Sequence, residues 1–388
     1  MFMEDIFIEA EELNLCDHCL GRIFAMRGHG LTNAERGRAL RVMYAMKNNI
    51  NYSTPDKCSL CEGLFDNLDR YASHIAKLLE KYEFDTFMIG SRFPQSILEK
   101  EKSIHEKYGN MGEPVNREFN REVGKKVMHL TGKEATIKNP DIVVIVDVEY
   151  DDVKLEIKPL LIYGRYKKLV RGIPQTKWPS GKYKESVEEL IARPIMEVTG
   201  GTAHELHGMG REDIDARMLG NGRPFIIEIK NPVRRKFDLK EMERKINEYA
   251  SGKIEVELIR FASRNDVVKL KTAAPKKRYE VGIKVDANEV ELKNALKSLV
   301  GEIRQRTPTR VAHRRADKIR FKKVYEVKLK KWSEDEKVVE ILAESGTYIK
   351  ELMHGDGGRT VPSLAGVLGK KVEVLWLDVI EILDSEEN

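Results

Sequence analysis

Apolar positions follow two rhythms along this chain. In the first third they recur at helical spacing. Residues 33–46, NAERGRALRVMYAM, open on an N-cap residue and keep that spacing, which predicts a helix. Residues 63–82 repeat the pattern, with Leu64, Leu68, Tyr71, Ile75 and Leu78 near one face. A short strand is expected around 86–90, then helices at about 95–108 and 114–131. Three strand-like runs follow, DIVVIVDVEY, VKLEIKPL and LIYGRY. From about residue 185, β-rich runs alternate with helices: PIMEV, FIIEI, KIEVELIRF, YEVGIKV, KVYEVKLKKW, VVEILAES and VEVLWLDVIEI, with helices expected at 240–251 and 290–300. Strands joined by hairpin turns with interleaved helices predict an α+β fold on a mixed or antiparallel sheet. The expected division is a helical segment over 1–65, an α/β module over 66–166, a basic linker over 167–184 and an α+β domain over 185–388.

Composition narrows this picture. The 388 residues suffice for two or three domains. With 41% hydrophobic and 34% charged residues, the chain reads as soluble and globular with an ionic surface. The acidic start, MFMEDIFIEAEE, lacks the basic and apolar regions of a signal peptide. The run IVVIV at 142–146 is far too short to span a bilayer. The expected location is therefore cytoplasmic, away from membranes. Disulfides are not expected there, so the four cysteines need another explanation.

They stand as two C-x-x-C knuckles, Cys16 with Cys19 and Cys58 with Cys61. Four thiolates form the ligand set of a closed structural zinc site, which leaves no open position for catalysis. The competing explanation is four unrelated buried cysteines, which the pairing of every cysteine disfavours. His18 is read as a neighbour of the site or as solvent-exposed, not as a ligand.

Charge is concentrated in two places. Residues 210–232, GREDIDARMLGNGRPFIIEIKNP, crowd Glu212, Asp213 and Asp215 between Arg211 and Arg217, ahead of an expected tight turn at Asn221-Gly222 and an apolar strand. Residues 304–331 hold a dozen basic residues against two acids, the footprint of phosphate binding. Arg310, His313, Arg314 and Arg315 are candidate RNA contacts there; a solvated basic face is the plainer alternative. The segment at 167–179, with several cations and Trp178, suits either a nucleic-acid backbone or a plain linker.

Three stretches of the second half belong together: Gly210-Arg-Glu-Asp213, Lys277-Arg-Tyr279-Glu-Val281 and Gly346-Thr-Tyr348-Ile-Lys350-Glu351. In these residues and their order the chain resembles the pseudouridine synthases, and the Gln305-x-Thr-Pro run also looks like that family. GREDIDARMLGNGRPF, GTYIKELMHGDGGRT and the paired knuckles are more closely similar to the Pus-ten type, the archaeal and eukaryotic tRNA synthase. The resemblance covers nearly the whole chain and is loose over 66–166, where the family carries its THUMP-containing RNA-binding region. It implies a C-terminal pseudouridine synthase catalytic domain behind a zinc-bearing α/β accessory domain. It also implies an isomerase acting on tRNA uridines 54 and 55 in the TΨC arm. By this resemblance Asp213 is catalytic, Tyr279 and Tyr348 bind the flipped base, and Lys350 pairs with the aspartate, with Arg211 in support. Lysine at 350 replaces the arginine of many superfamily members, giving a point charge for a bidentate fork.

The chemistry is consistent with these residue types. A buried carboxylate tends to protonate, and a nearby cation opposes that. Covalent attack by Asp213 and removal of a sugar proton are both compatible with the sequence. No redox or phosphate-transfer step is needed, so structural zinc is the expected cofactor, with no organic one. The expected partner is tRNA, and no obligate protein partner is inferred. Period-two alternation puts Asp215 on the same side as Asp213, where it pairs with Arg217 or Arg211, and turns Glu212 away. Two rivals remain. Asp215 with Glu228-x-Lys230 matches the Asp…Glu-x-Lys pattern of metal-dependent nucleases. A zinc-bearing RNA-binding protein without activity is the other.

Overall fold

The computed structural model describes residues 13–313 and 315–384. The acidic start and Arg314 lie outside the described residues. The chain divides into two compact units, residues 1–158 with 231–235, and residues 159–230 with 236–388. None of the described helices is long and apolar enough to cross a membrane.

The first unit runs α1 (Asp17–Ile23), α2 (Asn33–Asn48), α3 (Leu68–Leu79), β1 (Thr86–Arg92), α4 (Gln95–Lys107), α5 (Val115–Thr131), β2 (Glu134–Ala135), β3 (Ile142–Asp147) and β4 (Asp152–Ile157). Its sheet has the order β2-β1-β3-β4. The helix expected at 33–46 forms, but its N-cap is Thr32. The Thr32 hydroxyl accepts from the Glu35 amide while Glu35 reaches back to Thr32, a capping box. Helices α1 and α2 cross at glycines. A Cβ on Gly21 would lie 1.8 Å from the Asn33 carbonyl oxygen, and one on Gly37 would lie 1.9 Å from that of Asp17. The cysteines, α3, α5 and β3 share one hydrophobic core, so the segments expected at 1–65 and from 66 onward fold as a single unit.

The second unit runs β5 (Leu160–Lys168), α6 (Val187–Thr199), β6 (Ala203–Gly208), β7 (Arg217–Lys230), α7 (Leu239–Ala250), β8 (Ile254–Phe261), α8 (Arg264–Thr272), β9 (Lys276–Lys284), α9 (Glu289–Lys297), β10 (Gly301–Arg306), β11 (Ile319–Trp332), β12 (Lys337–Ala343), α10 (Ile349–His354), β13 (Thr360–Val361), α11 (Leu364–Leu368) and β14 (Glu373–Leu383). Its strands follow the order β13-β10-β11-β12-β9-β14-β7-β5-β8, with β6 also on β7. The pairings are antiparallel except the short parallel contact of β14 with β7.

Three sequence expectations change. LIYGRY, expected in the first module, is β5, which lies between β7 and β8 in the large sheet. PIMEV is the end of α6, not a strand. Val187, Leu190, Ile191, Pro194 and Ile195 bury one helical face, and the Ser186 hydroxyl caps the helix start, so the longer helical period overrides the proline. Asn221-Gly222 is not a hairpin turn but a bulge inside β7. The Asn221 side chain donates to the Ile382 carbonyl at 2.8 Å and accepts from its amide at 3.0 Å, replacing two ladder bonds. Gly220 closes the bulge at φ +59°, where a Cβ would lie 1.7 Å from the Ile380 carbonyl oxygen.

Candidate active site

Residues 209–216, the loop from β6 to β7, sort the three acids by burial. Glu212 is turned inward and its side chain is fully buried. It accepts from the Tyr166 hydroxyl at 3.0 Å and from Arg223 Nε at 2.9 Å, with the Lys168 ammonium 3.9 Å away. Burial raises the Tyr166 phenol far above its ordinary range, aided by the Glu212 charge, so it stays a neutral donor. Asp213 and Asp215 are more exposed and, with Glu212 at its inner wall, border a cavity of about 750 Å³, within the range of small-molecule sites.

The expected linker supports this loop from beneath. Lys168, fully buried at the end of β5, donates to the carbonyls of Ile173, Asp213 and Ile214 at 2.9, 3.0 and 3.2 Å. Gln175 Nε2 donates to the Tyr166 hydroxyl at 2.8 Å and the Gly210 carbonyl at 3.0 Å. Arg171 donates to the Asp215 and Leu377 carbonyls at 2.8 and 3.0 Å. Residues 167–175 therefore belong to the site's framework, and Trp178 reaches the cavity wall.

Two cations meet the acids. Lys350, in the first turn of α10, donates to both Asp215 oxygens at 2.9 and 2.8 Å and stands 3.4 Å from Asp213 Oδ2. Arg310 stands 3.3 Å from Asp213 Oδ2 and donates to the buried Glu351 at 2.8 Å. Partial burial works to raise the Asp215 carboxyl, but the Lys350 ammonium outweighs it and holds it below the usual carboxylate range. The expected pairing of Lys350 with Asp213 is thus present but longer than its pairing with Asp215. Neither expected arginine holds Asp215. Arg217 forms a two-pronged pair with Asp378 at 3.0 and 2.7 Å, and exposed Arg211 borders the cavity without a carboxylate partner among the described residues.

The aromatic residues come from two further elements. Tyr279 lies on β9 between Ile341 of β12 and Val379 of β14, and burial raises its phenol to about 12. Tyr348 borders the same cavity at the head of α10. The buried Gln305 side chain grips the Tyr348 backbone in both directions, accepting from its amide and donating to its carbonyl, each at 2.9 Å. The Gln305-x-Thr-Pro run is thereby placed: Thr307 ties the base of the basic loop by accepting from the Lys318 amide and donating to the Ala316 carbonyl. Beyond it Arg315 donates to the Tyr348 hydroxyl at 3.2 Å, and His313 is exposed. Much of the remaining basic segment is occupied within the fold, with Lys322 on Glu344, Lys328 on Glu326 and Lys330 on Glu340.

Sequence reasoning missed the inward role of Lys168, Gln175, Arg223 and Asp378, and gave no role to Lys277. The last had a local signal: it precedes Tyr279 by two in a strand and so shares its face.

The four cysteines converge, with their sulfurs all within 4.8 Å of one another, and could hold a metal ion. Four bonds of about 2.3 Å to a tetrahedral zinc ion set a sulfur–sulfur edge of about 3.8 Å. Cys16 Sγ and Cys61 Sγ stand 3.7 Å apart, which fits. Arg22 donates to Cys19 Sγ at 3.2 Å. His18 turns away to Glu118 at 2.8 Å and stacks on Phe65, so it is not a fifth ligand.

Comparison with known proteins agrees with this architecture. The family model described as Pus10, C-terminal, matches residues 161–383, nearly the whole second unit. The one described as Pus10 THUMP domain, archaeal, matches residues 71–147. The chain belongs to the Pus10 family. Curated relatives named tRNA pseudouridine synthase Pus10 include one from Pyrococcus furiosus, 44% identical over 97% of this chain and 97% of its own length. Another, from Methanopyrus kandleri, is 42% identical over 96% of this chain and 97% of its own. A third, from Thermoplasma acidophilum, is 40% identical over 98% and 99%. The fold class is the expected one: α+β, with a Pus10 C-terminal domain behind a THUMP-bearing region.

Proposed function

We propose that this protein is a tRNA pseudouridine synthase, which detaches the uracil of a target uridine, turns it and rejoins it to the ribose through carbon. The observation that carries this reading is the Asp213 carboxylate at the edge of a cavity, faced by two cations and bordered by Tyr279 and Tyr348, in a chain 44% identical to a relative of that name. The target nucleotide leaves its stack to reach such a recessed carboxylate. Asp213 is the catalytic group at the sugar or base. Lys350 and Arg310 hold and orient it. Tyr279 stacks on the flipped base, and Tyr348 lines the opposite part of the pocket. Arg310, His313, Arg314 and Arg315 contact the RNA backbone, and Arg211 stands at the rim.

The substrate is the TΨC arm, at positions 54 and 55, with the THUMP-bearing unit reading tRNA shape. Zinc, held by Cys16, Cys19, Cys58 and Cys61, fastens the two knuckles of that unit. It takes no part in the isomerisation, and no organic cofactor is required. The activity is cytoplasmic.

The nuclease pattern finds no support in the geometry. Glu228 is engaged by Arg264 at 2.7 Å through both oxygens and by His207 at 2.9 Å. Lys230 pairs with Glu205, and neither Glu228 nor Lys230 borders the Asp213 cavity. The test is carbodiimide mapping of pseudouridine in tRNA transcripts treated with wild-type protein and with Asp213→Ala. Stops at T-arm uridines only with the wild type are expected. Equal stops with both proteins would refute the assignment of Asp213.

A further inference from the structure

Three lysines are buried among the described residues, and two have clear employment. Lys168 donates to three carbonyls, and Lys337 donates to the Glu334 carbonyl at 2.8 Å. Lys277 is only 6% exposed as a residue and borders the Asp213 cavity; no group among the described residues accepts a hydrogen bond from its ammonium, which is not among the side-chain atoms sealed from solvent. A largely desolvated ammonium that opens on a cavity and is held by no protein acceptor is placed to meet a partner that enters the cavity.

Its position says where that partner sits. Lys277 and Tyr279 occupy the same face of β9, and both border the Asp213 cavity. Its cross-strand neighbours are Ala343 and Ile382, so the sheet offers it no carboxylate. A Cβ on Gly210 would lie 2.9 Å from Lys277 Nζ and 3.3 Å from Arg223 Nη1, which places both cations against the start of the Asp213 loop.

The charged groups that act on Lys277 are Arg223 from β7 and Glu212 from the loop, and Asp213 from the loop and Tyr279 from β9 border the same cavity. Glu212 is already committed to Arg223 and Tyr166. Burial, with Arg223, depresses the Lys277 ammonium to about 7, against the opposing pull of Glu212. Tyr279 and Tyr166 are pushed upward and stay neutral through that range.

We propose that Lys277 is a substrate-contacting residue whose ammonium binds the uracil ring as it leaves the ribose. This rests on the synthase reading above. When the C1′–N1 bond breaks, its electron pair departs with the ring, which becomes an anion. The new bond joins C5 to C1′, C5 loses its proton and N1 gains one, so the reaction is a net isomerisation. The cavity thus offers a carboxylate for the electron-poor sugar and an ammonium for the electron-rich base. A fixed cation aimed at charge that develops only as the bond breaks lowers the barrier more than it tightens ground-state binding.

The experiment compares Lys277→Met, which keeps the bulk and removes the charge, with wild-type protein by tritium release from tRNA carrying [5-³H]uridine. A fall in kcat of roughly 100-fold or more is expected, as for loss of one transition-state donor, with tRNA affinity changed by less than about threefold. The wild-type kcat/KM, which reports the free enzyme, should decline as pH rises through about 7, where the ammonium is lost. That limb should be absent in Lys277→Met. Lys277→Gln, which restores a neutral donor, should recover part of kcat. If Lys277→Met melts well below the wild type, Lys277→Gln and the wild-type pH profile decide the matter. Unchanged kcat in a folded variant, or a wild-type profile flat between pH 6 and 8, overturns the role of Lys277 alone. A wild-type protein that releases no tritium overturns the synthase reading instead.

Discussion

Replacing Glu212 by alanine should be among the most damaging single changes in the second unit, because of what it holds within the protein. Among the described residues Glu212 is the sole carboxylate paired with the fully buried Arg223, and it also accepts from Tyr166. Its removal leaves Arg223 with a Met209 carbonyl contact at 2.7 Å but no counter-charge, beside Lys168 and Lys277. Breaking one side of a buried ion pair costs about 3–5 kcal/mol. At about 2–4 °C per kcal/mol for a unit of this size, the melting temperature should fall by roughly 6–20 °C. Differential scanning calorimetry on the full chain can follow the transition. Asp215→Ala is the control, since the Asp215 side chain is 70% exposed and its pair with Lys350 is worth about 1 kcal/mol or less. Adding Arg223→Met to Glu212→Ala should recover much of the loss, because no unpaired charge then remains buried. A Glu212→Ala transition within about 3 °C of wild type, or one matched by Asp215→Ala, would refute the assignment of Glu212 as the loop's internal strut.

Other outcomes follow from the same geometry. Asp213→Ala should abolish pseudouridine formation while leaving tRNA affinity, read by filter binding, within about threefold; an active Asp213→Ala beside a dead Asp215→Ala would reverse the assignment. Cys58→Ser should lower bound zinc, read by elemental analysis, and destabilise the first unit, since a lost structural metal site is lost folding energy. Brief EDTA treatment that leaves zinc in place should leave activity intact, unlike a magnesium-dependent nuclease. Affinity for tRNA should fall steeply with salt, and Arg315→Ala should lower the slope of log K against log salt by about 1. Lys277 binds fewer protons folded than unfolded, its ammonium being depressed from 10.5 to about 7, so its contribution to stability should rise with pH across that window. Denaturation of wild type and Lys277→Met at pH 7 and pH 10 measures the difference.

The sequence made the outer face of this site legible and hid its inner face. Asp213, Tyr279, Tyr348 and Lys350 sit in short segments whose residue types and order carry their meaning, and they meet at one cavity. The supports of the loop come from positions with no local mark. Lys168 and Arg171 looked like cations of a basic linker, because nothing in a lysine's neighbours reveals that β5 will carry it under a loop 45 residues away. Asn221-Gly222 carried a strong turn signal that tertiary pairing with Ile382 overrode. The period-two argument set Glu212 on the side away from Asp213 and Asp215 without showing that this side is the core, and it mispaired Asp215, because residues 210–216 form a loop whose partners arrive from α10. PIMEV failed for a different reason: five residues are too few to separate a buried helix end from a strand.

The position of β14 has a consequence for how this protein is made. It follows every other strand of the large sheet in the sequence, yet it lies inside the sheet between β9 and β7. Its Asp378 also receives Arg217 and Arg171. On the ribosome, β9 and β7 therefore emerge long before the strand that joins them, with apolar residues and unpaired backbone groups on their facing edges. The two halves of the sheet cannot seal, nor can Arg171, which holds the Asp215 carbonyl of the loop, and Arg217 find Leu377 and Asp378, until residues 373–383 have left the exit tunnel. Nascent chains stalled before that point should be open to proteases and to misassociation, and should acquire activity abruptly on release of the final strand.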